Sequence, residues 1–129
     1  MLYRSNKIYV DDSNIHGRGV FASDNIKSGE ILEECHLIKV PHGTHPEILH
    51  EHFFSWPKGG SDLAICLGYG SIFNHSDDSY NADWETDTSK NKIIFFATSE
   101  IRKGEEIFTN YQKWFFFDKK ITYIYNNKW

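Results

Sequence analysis

Two short stretches put hydrogen-bonding and aromatic side chains where chemistry could be done. The first is Gly68-Tyr69-Gly70-Ser71-Ile72-Phe73-Asn74-His75-Ser76. Its glycines let backbone approach closely, and an apolar pair then delivers three adjacent hydrogen-bonding side chains into what should be a loop. Two readings are open here: a ligand site, or a buried polar turn in which Asn74 and Ser76 satisfy local backbone. A Ser/His/Asp hydrolase is disfavoured, because His75 and Ser76 are neighbours and no GxSxG nucleophile elbow occurs. The second stretch, Gly104-Glu105-Glu106-Ile107-Phe108-Thr109-Asn110-Tyr111, ends on a tyrosine and is followed by Trp114-Phe115-Phe116-Phe117. A buried tyrosine usually anchors packing, with its hydroxyl on backbone, so alone this stretch is also ambiguous.

Gly17-Arg18-Gly19 is weaker still, since hairpin turns use glycine for the same backbone reasons. The third glycine of a dinucleotide fingerprint is missing and a strand-like segment follows, so a Rossmann site is poorly supported. His36, His42, His45, His50 and His52, with Cys35 and Glu51 nearby, invite a metal reading. Their spacing matches no zinc pattern, and His50 and His52 would point to different faces of a helix. No metal site is expected.

The elements that must position these residues are mostly strands. An internal echo relates residues 22–32 to residues 97–107: each has Ala, then Ser or Thr, then Ile, a basic residue and Gly-Glu. Each copy follows an apolar run (Gly19 to Ala22; Ile93 to Ala97), turns at a glycine and enters a second apolar run, which reads as strand, turn, strand. Two such units predict an all-β scaffold built from short hairpins. Lys7 to Asp11, Ile31 to Val40, Asn81 to Glu85 and Ile107 to Tyr111 are further strand candidates. One short helix is expected from Thr44 as N-cap, through Glu47, Ile48 and Leu49 to Phe53, and a second over Leu63 to Phe73.

The chain has 129 residues, room for one domain over 1–129 and no separate cofactor and substrate domains. Two cysteines without CxxC spacing exclude a four-cysteine zinc site and make a disulfide framework unexpected. With no apolar leader or long apolar run, the chain is expected to be soluble, intracellular and off the membrane. Fourteen Lys and Arg against 18 Asp and Glu argue against direct nucleic-acid binding. No Lys or Arg occurs between Gly59 and Ser89, where Asp62, Asp77, Asp78, Asp83, Glu85 and Asp87 gather: either a solvated acidic loop or a surface for a basic peptide. Aromatics make up 16% of the chain, which suggests a pocket or an interface.

In combination the motifs say more. GRG-V-F-A, then N-H-S, then I-x-x-G-E-E-I-x-x-N-Y, in this order, resemble the SET domain of protein lysine methyltransferases. The likeness covers a core of about residues 7–114, leaving 115–129 as an aromatic C-terminal segment, and is to compact stand-alone SET proteins of viral or bacterial type. It implies a mainly β fold, the β-clip of small curled sheets, with a pseudoknot-like C-terminal crossing and one or two short helices. It also implies methyl transfer from S-adenosylmethionine to a lysine of a basic protein such as a histone. Carried over by position, Gly17, Arg18 and Gly19 would run along the methionine moiety, Asn74 and His75 would contact its amino-acid and adenine parts, and Trp114 or Phe115 would cover the adenine. Tyr111 would be the catalytic tyrosine, and Tyr69, Trp84 and Phe108 are candidates for the lysine channel. The other reading is a catalytically silent SET-like module that binds a basic tail.

The sequence departs from the family in places. The usual Arg-Phe-x-Asn-His segment reads Ser71-Ile72-Phe73-Asn74-His75, the glycine after the tyrosine is Gln112, and Thr109 stands where Phe or Tyr is common and influences how many methyl groups are added. Seven of the last 16 residues are aromatic, more than a pocket needs, so a homodimer through that segment is expected. The compartment would be the cytoplasm, or a host nucleus if the chain is viral.

Overall fold

The computed structural model describes residues 2–41 and 52–110. Within them lie ten short strands: β1 (Ile8–Asp12), β2 (Arg18–Ala22), β3 (Ile31–Cys35), β4 (Leu37–Val40), β5 (Phe53–Trp56), β6 (Asp62–Cys66), β7 (Asn74–His75), β8 (Ala82–Asp87), β9 (Lys92–Ala97) and β10 (Glu106–Thr109). They form three small sheets, ordered β1-β2-β10-β7, β3-β9-β8 and β4-β6-β5. The expected mainly β architecture of small curled sheets is what the chain adopts.

Period-two patterning decides which faces turn inward. Along β9, Ile93, Phe95 and Ala97 are buried while Lys92, Ile94 and Phe96 are half-buried, as a pleat with one face in the core requires. The core is aromatic at its centre. Phe54 meets Trp84 and Phe95 edge-on at 5.0 and 5.5 Å, and Phe73 stacks on Phe95 at 4.7 Å. Each such side chain removed from water contributes about 1.5–3 kcal/mol.

The internal echo has a structural counterpart, but not two hairpins. The copies interlock: β2 pairs with β10 and β3 with β9. Ile26 and Ile101 exchange both backbone hydrogen bonds, at 2.8 and 2.9 Å. Around them each bond has its mirror. Ala22 N–H donates to the Glu105 carbonyl and Ala97 N–H to that of Glu30, both at 2.9 Å, while Gly104 N–H reaches Ala22 and Gly29 N–H reaches Ala97, both at 2.7 Å. Gly29 and Gly104 both have positive φ, 87° and 92°, which a side chain would resist. Repeated sequence therefore produces a local two-fold, and pairing across it replaces the hairpin pairing expected within each copy.

Three other expectations are corrected. The single strand from Ile31 to Val40 is broken at His36, and its halves join different sheets. The helix over Leu63 to Phe73 is instead strand β6 and one 3-10 turn, Gly68–Ser71. Strands on both sides of β6 take up its backbone groups, and Gly68 at φ 76° ends it. Phe53, placed on the first helix, begins β5; the rest of that helix lies mainly in 42–51, outside the described residues. Cys35 and Cys66 are buried free thiols, and hydrogen bonding to Cys66 together with burial pushes the Cys35 thiol up. Among the described residues no helix is long and apolar enough to cross a membrane, and no three metal-ligating side chains come together.

Candidate functional site

The loop from Ser13 to Arg18 connects β1 to β2 and is fastened from within. Ser13 N–H donates to the Gly17 carbonyl at 2.8 Å, and Gly17 has φ 50°. Ser13 Oγ accepts the N–H groups of Ile15 at 3.0 Å and His16 at 3.4 Å. It donates its own proton to the Glu106 carboxylate, 2.7 Å from Oε1 and 3.0 Å from Oε2.

Asn74, on β7, fastens the same loop from the other side. Its Nδ2 donates toward the carbonyls of His16 at 3.1 Å and Arg18 at 3.2 Å and toward Glu106 Oε2 at 2.8 Å. Gly19 leaves room for this arrangement: a Cβ there would stand 2.2 Å from Glu106 Oε2 and 3.1 Å from Asn74 Nδ2. The loop and the 71–74 segment enclose a cavity of about 250 Å³, with His52 at its edge. A Cβ on Gly17 would meet nothing within 4 Å, so the loop backbone is open there to a ligand.

Strand β10 is threaded between β2 and β7, antiparallel to the first and parallel to the second, with Phe108 opposite Asn74 and Thr109 opposite His75. This is the C-terminal crossing as far as the described residues carry it. Asn81 stands in for a strand partner, its Oδ1 accepting from Phe108 N–H at 2.8 Å and its Nδ2 donating to the Glu106 carbonyl at 3.0 Å. His75 is buried, with Nε2 2.8 Å from Asp77 Oδ1. Thr109 Oγ1 is buried and has no hydrogen-bond partner among the described residues.

Of the residues singled out in the sequence, Gly17, Arg18 and Asn74 border this cavity, while Gly19 lies behind it against Asn74 and Glu106 and His75 follows Asn74 on β7. Tyr69, Trp84 and Phe108 do not border the cavity. The Tyr69 ring lies under the Arg4 guanidinium at 3.8 Å, and its N–H donates to Glu33 at 2.9 Å. Trp84 is fully buried, and Phe108 is half-buried on β10. Tyr111, Trp114 and Phe115 lie outside the described residues, as does the aromatic C-terminal segment. Sequence reasoning missed Ser13, Asn81 and Glu106. Only Glu106 carried a signal, as part of the Gly-Glu-Glu turn, and nothing in the sequence said that its carboxylate reaches Asn74.

The acidic stretch is partly neutralised in place. Lys58 Nζ lies 3.2 Å from both Asp83 and Glu85, and Asp77, bonded to His75, and Asp78 are exposed just beyond Ser76.

A family model for the SET domain matches residues 17–112. Among solved structures, the chain is similar to a candidate histone methyltransferase of Plasmodium falciparum, at 32% identity and a TM-score of 0.69 over 83% of this chain and 94% of that one. It is similar at 20% identity and a TM-score of 0.64 to the Neurospora histone lysine methyltransferase DIM-5, over 84% of this chain and 53% of that one. At 18% identity and a TM-score of 0.63 it is similar to KRYPTONITE, solved with DNA, a histone H3 peptide and SAH, over 81% of this chain and 23% of that one. A comparison with curated protein sequences finds no match. The motif order, the threading of β10 between β2 and β7, and these likenesses agree: the chain belongs to the SET-domain family.

Proposed function

We propose that this chain is a protein-lysine N-methyltransferase that uses S-adenosylmethionine. The observation that carries the reading is the tie between the Gly17–Gly19 loop and Asn74, alongside strand β10, which ends at Thr109, two positions before Tyr111 in the sequence. An open glycine loop beside a small cavity fits an amino-acid moiety lying along the backbone. At about 250 Å³ the cavity is small beside the roughly 300–1,000 Å³ of whole ligand sites. Trp114 or Phe115 would then complete the site over the adenine.

S-adenosylmethionine supplies an electrophilic methyl group on a sulfonium. The residues of the chain have to bind, orient and exclude water. Gly17, Arg18 and Gly19 hold the methionine moiety through backbone, and Asn74 and His75 fix the loop and strand that meet it. In-line displacement needs amine and methyl about 3 Å apart in a narrow passage. The attacking amine must be neutral, although the reference pKa of lysine is about 10.4; an apolar passage lowers that value because it penalises the ammonium. The hydroxyl of Tyr111, with a reference pKa of about 10, suits orienting the amine better than removing its proton. Phe108 and Tyr69 remain candidates for channel walls, whereas the contacts of Trp84 are those of a core residue. Exposed Asp77 and Asp78 support a basic protein as substrate, as does the H3 peptide in the KRYPTONITE structure. The C-terminal aromatics would close a homodimer, which a monomer mass in light scattering would exclude.

The test is calorimetric binding of S-adenosylmethionine followed by labelled-methyl transfer to mixed histones, with Tyr111→Phe as control. Binding with transfer, lost in Tyr111→Phe while binding persists, is the expected result. Binding without transfer to any basic protein would favour a silent recognition module, and unchanged turnover in Tyr111→Phe would remove that residue from catalysis.

A further inference from the structure

Glu106 has no part in the roles assigned so far, yet it joins the two sides of the site. We propose that Glu106 is a positioning residue: its carboxylate orients both Ser13 and Asn74 and so sets the shape of the 13–18 loop that receives the cofactor. This rests on reading the cavity as a cofactor site.

The hydrogen-bond inventory makes the carboxylate specific. Ser13 has one hydroxyl proton, which goes to Glu106 at 2.7 and 3.0 Å. Its lone pairs are thereby turned toward the amides of Ile15 and His16. The amide nitrogen of Asn74 has two protons facing three acceptors, of which Glu106 Oε2 is the nearest at 2.8 Å. Glu106 therefore receives a donor from each side. An ionised carboxylate accepts at both oxygens, whereas a glutamine has one acceptor oxygen and would set its own NH₂ against one of the two donors.

The surroundings leave Glu106 to this task. Among the described residues no lysine or arginine pairs with it, and Ser71 turns its hydroxyl to the Cys66 carbonyl at 2.5 Å. The strand beside it is cleared for the carboxylate, since any Cβ at position 19 would collide with Oε2. Hydrogen bonds to charged groups are the strong ones, and a loop whose amides and carbonyls are held through one carboxylate should loosen as a unit when that carboxylate is lost.

The test compares wild type, Glu106→Gln and Ser13→Ala as full chains. Amide hydrogen exchange of the free protein reads the loop directly. In Glu106→Gln, exchange at Ser13, Ile15 and His16 should quicken about tenfold or more, while the Ile26 and Ile101 amides at the local two-fold stay protected. Calorimetry with S-adenosylmethionine should show a dissociation constant about tenfold weaker in both variants, and in turnover the cofactor KM should rise by more than kcat falls. Unchanged exchange in the loop, or equal cofactor affinity in a folded Glu106→Gln protein, would overturn the proposal. If Glu106→Gln does not fold, Ser13→Ala decides it by the same affinity measurement. If wild type takes up no S-adenosylmethionine, the cofactor role fails with the functional reading, and the exchange data alone judge the clamp.

Discussion

The indole N–H of Trp84 donates to the carbonyl of Asn110 at 2.8 Å, tying the middle of β8 to the residue that immediately precedes Tyr111. The ring is fully buried and meets Phe54 edge-on. One core residue thus fixes the exit of β10. Trp84→Phe keeps an aromatic ring but removes the donor and leaves unfilled volume. It should cost about 2–4 kcal/mol in urea denaturation and reduce methyl transfer more than cofactor binding. A variant as stable and active as wild type would show that the bond to Asn110 does not hold the strand end.

Gly17 and Gly19 are two residues apart and are glycine for different reasons. At Gly17 the demand is conformational: φ is 50°, while space around a Cβ is open. At Gly19 the demand is spatial, because Glu106 and Asn74 occupy the place of a methyl group. Gly17→Ala should therefore cost about 1 kcal/mol in stability, with modest loss of cofactor affinity. Gly19→Ala should cost about 1–3 kcal/mol from overpacking and should abolish cofactor binding, since it displaces the groups that hold the loop. Thermal unfolding and calorimetry on the two variants separate these cases, and equal effects would contradict the assignment.

Much of this was legible in the sequence where it depended on local pattern. The apolar runs Gly19 to Ala22 and Ile93 to Ala97 and the turn glycines at 29 and 104 marked strands and turns correctly. What failed depended on partners far away in the chain. The pattern of residues 22–32 and 97–107 cannot say whether each copy pairs with itself or with the other, because both arrangements bury the same apolar residues. Leu63 to Phe73 fits a helix by sequence yet forms β6 and a 3-10 turn, because a short apolar run does not distinguish a helix from a strand buried between neighbours. Around the cavity, motif order singled out Gly17, Gly19 and Asn74, which the fold brings close together, but the convergence of Ser13 and Glu106, 93 positions apart, is a product of threading β10 beside β2.

The local two-fold makes a quantitative prediction. Ile26 and Ile101 are both fully buried and bridge one another through paired backbone bonds. Ile26→Ala and Ile101→Ala should each cost about 2–5 kcal/mol, by similar amounts because both side chains are fully buried and their backbone bonds mirror each other. The double variant should fall short of the sum, since the second deletion opens onto space left by the first, with a coupling of about 0.5–3 kcal/mol. Chemical denaturation of the four proteins measures this, and strict additivity would mean that the two side chains do not pack on each other.

Acid sensitivity should report on the β3–β9 pairing. Glu34 on β3 bonds the Lys92 ammonium on β9 and accepts from Tyr3 N–H at 3.1 Å. The ammonium first and the amide second hold its carboxyl below the usual glutamate range. A lowered folded-state pKa stabilises the fold above the unfolded value of about 4.3, and the benefit disappears as pH falls through the folded value. Glu34→Gln should therefore be less stable than wild type at neutral pH, and the difference should shrink below about pH 4 until the two converge. Urea denaturation across a pH series tests this. A gap that stays constant to pH 2 would show that Glu34 acts through packing and not through its charge.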